Sequence, residues 1–526
     1  MADDAREGLD GGRVPLGRGR GRAIGAPVHP LLAFLLGLIS ATGFAPLGLW
    51  WLTLIALAGL LWLLGRAGSL RQAALYGWLF GLGQFLLGLN WIATAFTYQA
   101  AMPAWLGWIA VVLLSLYLAI YPALAAAIAW RWGRGDRLRL VLLLAGGWMV
   151  AEWLRGLIFT GFPWNPLGVA WLPVTPVAGS AAWIGTLGLG GLMVLAAGAL
   201  ALLMARRVIA AALALAPVLI ATVGGWLALP AAGQATAQRI TIVQPNIEQQ
   251  DKWIEALMRA NRLRHMALSG RPGTATAPRL LFWPEAAIAE FIEEEPAVRL
   301  ELTRVLGPRD LLLAGGVAMI RDERGYATSA TNSLFVMDSL GRLRARYDKA
   351  HLVPYGEYLP MRPLLSLLGL SRLAPGDLDF ESGPGPRTLH LPDMPAVGVQ
   401  ICYEIIFSGH VVAEADRPAF LFNPSNDAWF GRFGPPQHLA QARLRAIEEG
   451  LPVIRATPTG ISAVIDAGGR IVASLPWRTA GTIESHLPQA GSPTLFSRWG
   501  NAVPLTLAVL AIVLAIAPRR KSRYAI

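Results

Sequence analysis

Cys402 is the only cysteine of the chain, and its neighbours make it a candidate nucleophile. It ends the apolar run AVGVQI and is followed by Tyr403 and Glu404. A strand end that turns into polar residues is where a nucleophile would be exposed. Free cysteine is also a common small buried hydrophobe, so the residue alone leaves both readings open. Lysine usage adds a second clue. Lysine occurs only at positions 252, 349 and 521, among 45 Lys plus Arg. Arginine fills nearly every generic positive position, so a retained lysine points to a need for an amine, a compact charge with a tunable pKa. Lys349 lies in YDKAHLVPYGEY, beside Asp348, His351 and Glu357; a surface salt bridge with Asp348 is the alternative. Glu285 closes LLFWPE. A carboxylate after a hydrophobic strand and a proline is either an ordinary helix-start residue or a catalytic base.

These residues need a scaffold, and the sequence supplies strand-like runs around them. RITIVQ (239–244), RLLFW (279–283), LLLAGGVAMI (311–320), NSLFVMD (332–338), AVGVQIC (396–402), AFLFN (419–423) and PVIRAT (452–457) alternate with polar or helical stretches. QHLAQARLRAIEEG (437–450) has helical spacing. Such alternation indicates a layered α/β domain. The order of LLFWPE, YDKAHLVPYGEY and ICYE resembles the Glu–Lys–Cys constellation of the nitrilase (carbon–nitrogen hydrolase) superfamily. VQPNI at 243–247 resembles its opening strand and NPSNDAWF at 423–430 the segment after its nucleophile, and RAIE at 445–448 also fits. The resemblance covers 238–488 and implies an αββα sandwich. It departs at RATPTG, 455–460, where an Asn-containing loop is expected.

The rest of the chain is apolar. The composition is 54% hydrophobic and 15% charged, with 20 Trp, against about 25% charged residues in soluble chains. Apolar runs long enough for a bilayer lie near 30–46, 48–64, 73–97, 104–130, 138–158, 177–205, 207–229 and 502–518. About eight spans are therefore expected, in this order: a disordered tail (1–28), a seven-helix membrane domain (29–230), a catalytic domain (231–500), then an eighth helix and a basic tail (501–526). Arg13, Arg18, Arg20 and Arg22 precede the first span. Arg66 and Arg71, then Arg131, Arg134, Arg137 and Arg139, then Arg206 and Arg207, then Arg519, Arg520, Lys521 and Arg523 mark every second connection. Basic loops stay in the cytoplasm, so both termini are expected there and 231–500 outside. The net charge of +12 is concentrated in the membrane part and its flanks. It signals topology and anionic lipid, not nucleic acid.

EWLRG at 152–156 and TGFPW at 160–164, with eight spans around a nitrilase-like domain, resemble the apolipoprotein N-acyltransferase family nearly end to end. That resemblance implies a bacterial inner-membrane enzyme with a periplasmic catalytic domain. Cys402 would take an acyl chain from a phospholipid as a thioester. It would then pass the chain to the N-terminal amine of a diacylglyceryl-cysteine apolipoprotein, the last step of lipoprotein maturation. A covalent intermediate implies ping-pong kinetics. Partners are those two substrates and membrane lipids; a monomer is expected, and no cofactor or metal is implied.

An ordinary thiol near 8.5 and an ordinary Glu near 4.3 differ by roughly 4 units, about 6 kcal/mol. Glu285 is therefore expected to be buried, with a raised pKa. Lys349 is expected to favour the thiolate and hold the oxyanion, with the Tyr403 N–H as a second donor. Glu357 would orient Lys349, and Glu404 would support the loop. Trp253, beside Lys252, stacks near the site or is a packing aromatic. Glu152 and Arg155, on one face of the fifth span, contact a lipid headgroup or form a structural ion pair. The apolar segment 359–375, with Leu364, Leu365 and Leu368, reads as a lid or a packed surface helix. Three rivals stay open: a Cys–His pair drawing on His351, His410 or His438; a membrane-tethered amidase with water as acceptor; and a non-enzymatic transporter or receptor.

Overall fold

The computed structural model describes residues 28–98, 103–361, 363, 367, 379–413 and 415–517. The N-terminal tail, the basic C-terminal tail and the expected lid residues Leu364, Leu365 and Leu368 lie outside these residues.

Helical stretches occupy each apolar run. They are Val28–Ala41, Trp50–Leu64, Leu70–Gly88 with Ile92–Tyr98, Leu106–Gly133, Arg137–Arg155, Ala181–Met204, Val208–Ala228 and Ala502–Ile516. Local chemistry sets some of their starts. The Ser69 hydroxyl accepts from the Gln72 N–H at 3.2 Å. The Asp136 carboxylate accepts from the N–H groups of Leu138 and Arg139 at 3.0 and 3.2 Å, as N-caps do. Leu106–Gly133, Ala181–Met204 and Val208–Ala228 are long and apolar enough to cross a membrane alone; Leu70–Gly88 with Ile92–Tyr98 passes as a pair bent by 48°. Trp50–Leu64 and Ala502–Ile516 are 15 residues each, short of the roughly 20 a straight crossing needs. Arg137–Arg155 carries Arg137, Arg139, Glu152 and Arg155.

The remaining residues form two six-stranded sheets. The strands are β1 (Ala235–Gln244), β2 (Arg279–Phe282), β3 (Leu311–Arg321), β4 (Ala327–Asp338), β5 (Leu343–Asp348), β6 (Thr388–Leu389), β7 (Val397–Val399), β8 (Phe420–Pro424), β9 (Val453–Ala456), β10 (Ala463–Ile465), β11 (Ile471–Ser474) and β12 (Gly481–Pro488). Their orders are β12-β1-β2-β3-β4-β5 and β11-β10-β9-β8-β7-β6. In each sheet three neighbouring strands are parallel, β1-β2-β3 and β7-β8-β9. Alternation along a strand assigns the faces. Leu280 and Phe282 join Val397, Val399, Phe420 and Phe422 between the sheets, while Leu281 and Trp283 face a second cluster with Val298 and Leu302 of helix Pro296–Leu302. Helix Gly434–Glu449 covers the other sheet. Its Leu439, Leu444 and Ile447 share one apolar cluster with Trp164, Leu189 and Val194 of the membrane part. The result is the expected αββα sandwich, seated directly on the helical domain. Glu448 anchors that seat, accepting from the Thr186 N–H (2.6 Å) and hydroxyl (2.7 Å) and from the Ser408 hydroxyl (2.7 Å).

Candidate active site

Glu285 and Cys402 each lie three residues past the ends of the parallel strands β2 and β7, at the carboxyl edge of their sheets, where open α/β sheets place ligands. Glu285 is held tightly. The Gly315 N–H donates to the Pro284 carbonyl at 3.1 Å and the Ile288 N–H to the Gly315 carbonyl at 3.1 Å. A Cβ on Gly315 would lie 2.7 Å from the Glu285 Cα, so only glycine lets the Glu285 turn press on β3. Cys402 opens the short 3-10 turn Cys402–Ile406 at φ +51°. A non-glycine residue persists there only when its surroundings impose it. Glu404 supplies part of that imposition. Its carboxylate accepts from the Ile401 N–H at 2.6 Å, the Ala350 N–H at 2.7 Å, the His351 N–H at 3.1 Å and the Tyr347 hydroxyl at 3.0 Å. It therefore ties the Cys402 turn to the segment that follows β5 and carries Lys349.

Lys349 is fully buried between carboxylates. Its Nζ lies 2.9 Å from Glu357 Oε1 and Oε2 and 3.7 Å from Glu285 Oε1. The Asn332 side chain, on β4, donates to Glu285 Oε1 and Glu357 Oε1, both at 2.8 Å. Glu285 Oε2 is buried with no hydrogen-bond partner among the described residues, which leaves it free to accept a proton. Glu285, Glu357 and Cys402 are all buried.

Electrostatics divides the roles. Burial first, and then the Glu285 charge, push the Cys402 thiol up to about 12, with Lys349 pulling the other way. The influence of Lys349 has the expected sign but is outweighed, so the resting group is a thiol. Burial opposes the charge of Lys349, yet Glu357, Glu285 and Cys402 together raise its pKa, so it stays an ammonium. Burial pushes Glu404 up to about 7, against the pull of Lys349 and of three backbone N–H groups.

The histidines do not form a Cys–His pair. His438 Nε2 lies 3.1 Å from the Cys402 carbonyl oxygen. It must carry a proton to bond there, so it cannot be the thiol's base. Its Nδ1 faces Asp427 at 3.0 Å, and burial first, then the Arg455 charge, lowers its pKa. His351 stacks on Phe407 at 3.9 Å between centroids, and His410 is exposed. Trp253 is half-buried in the turn after Gln249–Asp251, with no ring stacked on it among the described residues. Glu152 and Arg155 are buried in the helical domain, 3.7 Å apart.

Several site neighbours escape the sequence reading. Lys252 is buried and donates to the Glu285 carbonyl at 3.0 Å. Burial lowers its pKa to about 8, with Glu285 and Cys402 opposing. The scarcity of lysine marks it as it marks Lys349. Asn332 sits inside a strand run, where no local signal distinguishes it. Asp427 receives Arg455 Nη2 at 2.7 and 2.6 Å, so the Arg that opens RATPTG is a buried brace behind the Cys402 turn.

Family models match the chain in two parts. The apolipoprotein N-acyltransferase N-terminal domain matches residues 36–199, and carbon-nitrogen hydrolase matches residues 239–492. An apolipoprotein N-acyltransferase of Bradyrhizobium diazoefficiens is 38% identical over 94% of this chain and 96% of its own length. One of Rhodopseudomonas palustris is 36% identical over 93% and 95%. Among solved structures, an amidase from Nesterenkonia sp. aligns with TM-score 0.32 and 15% identity over 53% of this chain and 95% of its own. With the matches to both family models and relatives aligned over nearly the whole length, the chain belongs to the apolipoprotein N-acyltransferase family and is an acyltransferase.

Proposed function

We propose that the protein moves an acyl chain from a membrane phospholipid to the N-terminal amine of diacylglyceryl-cysteine apolipoproteins, through a thioester on Cys402. The observation that carries this reading is a buried Cys402 that feels the charges of both Glu285, whose Oε2 has no partner among the described residues, and the doubly paired Lys349. In the first half-reaction the Cys402 sulfur attacks the ester carbonyl as Glu285 takes the thiol proton. The tetrahedral oxyanion is held by the Lys349 ammonium and the Tyr403 N–H. Tyr403 is the second residue of its turn, where N–H groups still lack intrahelical partners. Collapse expels the lysophospholipid alkoxide, which recovers the proton from Glu285. In the second half-reaction the acceptor amine attacks the thioester, Glu285 takes its proton, and the departing thiolate recovers it. Glu357 and Asn332 keep Lys349 and Glu285 in register. Trp253 belongs to the wall of the acyl site.

The membrane part spans the inner membrane eight times, with residues 231–500 periplasmic and both termini cytoplasmic. The helical stretches in all eight runs and the alternating arginine-rich connections support this. The three shortest helices would cross with help from locally thinned lipid or from flanking residues. Reporter fusions after residue 230 should report the periplasm, and fusions at the C-terminus the cytoplasm. A cytoplasmic signal for 231–500 would overturn the topology.

A membrane-tethered amidase would share the chemistry as far as the thioester. The Tyr403 hydroxyl, next to Cys402, donates to the Gly161 carbonyl of the helical domain at 3.0 Å. A nucleophile turn built onto the membrane part favours a lipid donor. The test is intact-mass spectrometry of purified protein after phospholipid is supplied without acceptor. One acyl mass on Cys402, released by neutral hydroxylamine, is expected. An acyl group on serine or lysine, or none at all, sinks the reading.

A further inference from the structure

The Glu152–Arg155 pair is turned inward onto the protein's own main chain. Arg155 Nη1 donates to the carbonyls of Phe162 at 2.9 Å and Trp164 at 2.8 Å, and the Phe162 N–H returns to the Arg155 carbonyl at 2.8 Å. Glu152 Oε1 accepts from the Leu167 N–H at 2.7 Å. Together they clamp both ends of the segment that leaves helix Arg137–Arg155. That segment is wound against its preferences: Phe159, Thr160 and Asn165 all have positive φ, at 53°, 72° and 48°. Non-glycine residues hold such angles only when their surroundings over-determine them.

The clamped segment then reaches the nucleophile by two routes. The Gly161 carbonyl receives the Tyr403 hydroxyl at 3.0 Å, and the Phe162 and Tyr403 rings lie 6.2 Å apart. Trp164 donates to Gln437 Oε1 at 2.8 Å and packs on the His438 ring at 5.2 Å; His438 holds the Cys402 carbonyl at 3.1 Å. One buried ion pair in the helical domain is thus connected, through a single strap, to the carbonyl of the residue at φ +51° and to the residue that follows it.

We propose that Glu152 and Arg155 are positioning residues. From within the helical domain they tension residues 156–167 as a strap that fixes the Cys402 turn through Tyr403 and His438. The inference rests on Cys402 being the acylated nucleophile. It replaces the headgroup contact as the use of this pair, because Arg155 is buried and its Nη1 donors are already engaged by Phe162 and Trp164. A displacement of about 1 Å at a reacting atom can cost roughly a hundredfold in rate, which sets the expected size of the effect.

The test uses the full-length protein with Arg155→Lys, which keeps the charge but not the planar fork, and separately Tyr403→Phe, which removes only the contact with Gly161. Acylation of Cys402 is followed with two donors, a phospholipid and a headgroup-free p-nitrophenyl acyl ester, alongside thermal unfolding. Arg155→Lys should lower the maximal acylation rate roughly a hundredfold with both donors and leave KM for each donor unchanged. Tyr403→Phe should lower it in the same pattern by a smaller factor. A loss confined to phospholipid, or expressed in its KM, overturns the proposal in favour of a headgroup contact. Wild-type rates in either folded variant also overturn it. If Arg155→Lys fails to fold, Tyr403→Phe decides alone. A wild type that never acylates Cys402 is the separate failure of the functional reading.

Discussion

Cys402→Ala should abolish acyl transfer from phospholipid to a diacylglyceryl peptide, at every pH, while leaving the protein folded. Removing the nucleophile of a covalent mechanism costs on the order of 10⁶ in rate, which lies below detection for a membrane assay. No second cysteine can substitute, because the chain has one. Cys402→Ser should be nearly as inactive. A hydroxyl is far less acidic than a thiol, and this position already pushes even the thiol up to about 12 through burial and then Glu285. The stability cost should be small, about 0.8 kcal/mol for losing one methylene-sized group from a buried site. A thermal midpoint within a few degrees of wild type would therefore show that inactivity comes from chemistry. Residual transfer by Cys402→Ala above the enzyme-free rate would remove Cys402 from the mechanism. The same purified variant can be tested for binding. It should retain phospholipid without acquiring an acyl mass.

The strand-end residues were readable because their signal is local: an apolar run of strand length, then an abrupt polar residue. Glu285 and Cys402 follow β2 and β7 in this way, each three residues past the strand's end. β5, LRARYD, was not readable as a strand because arginines fill its alternate positions. β11 was missed because it is short and mostly exposed. The partners that lock the site carry no local mark at all. Asn332 bridges Glu285 and Glu357 across 47 and 25 residues, and Tyr403 reaches Gly161 across 242. Such pairings arise only once the sheets stack and the sandwich sits on the helices. The helical domain was legible by hydropathy, but where each helix begins depends on caps such as Ser69 and Asp136. The scarcity of lysine marks Lys252 as well as Lys349, and Lys252 is buried against the Glu285 carbonyl.

Glu285→Gln should cut the acylation rate at neutral pH by roughly 10²–10⁴, the usual contribution of a positioned general base. The amide matches the carboxylate in shape. Its oxygen can keep the Asn332 hydrogen bond now made to Oε1 at 2.8 Å, while the nitrogen falls where Oε2 stood without a partner. The site then keeps its geometry but has nothing to accept the thiol proton. The pH profile separates this from a packing defect. In the wild type, Glu285 removes the proton during attack, so the rate should be flat across neutral pH. In the variant, attack needs thiolate formed beforehand, and with the thiol pKa far above neutral the rate should rise about tenfold per pH unit. The sign of the electrostatics helps the variant here. Burial is the first cause of the raised thiol pKa and survives the substitution, but the Glu285 charge is the second and is removed, while the pull of Lys349 remains. The thiol of Glu285→Gln should therefore titrate below that of wild type, which iodoacetamide alkylation of Cys402 as a function of pH would read directly. An alkylation profile that shifts upward, or an acylation rate that stays flat with pH in the variant, would show that Glu285 is not the base.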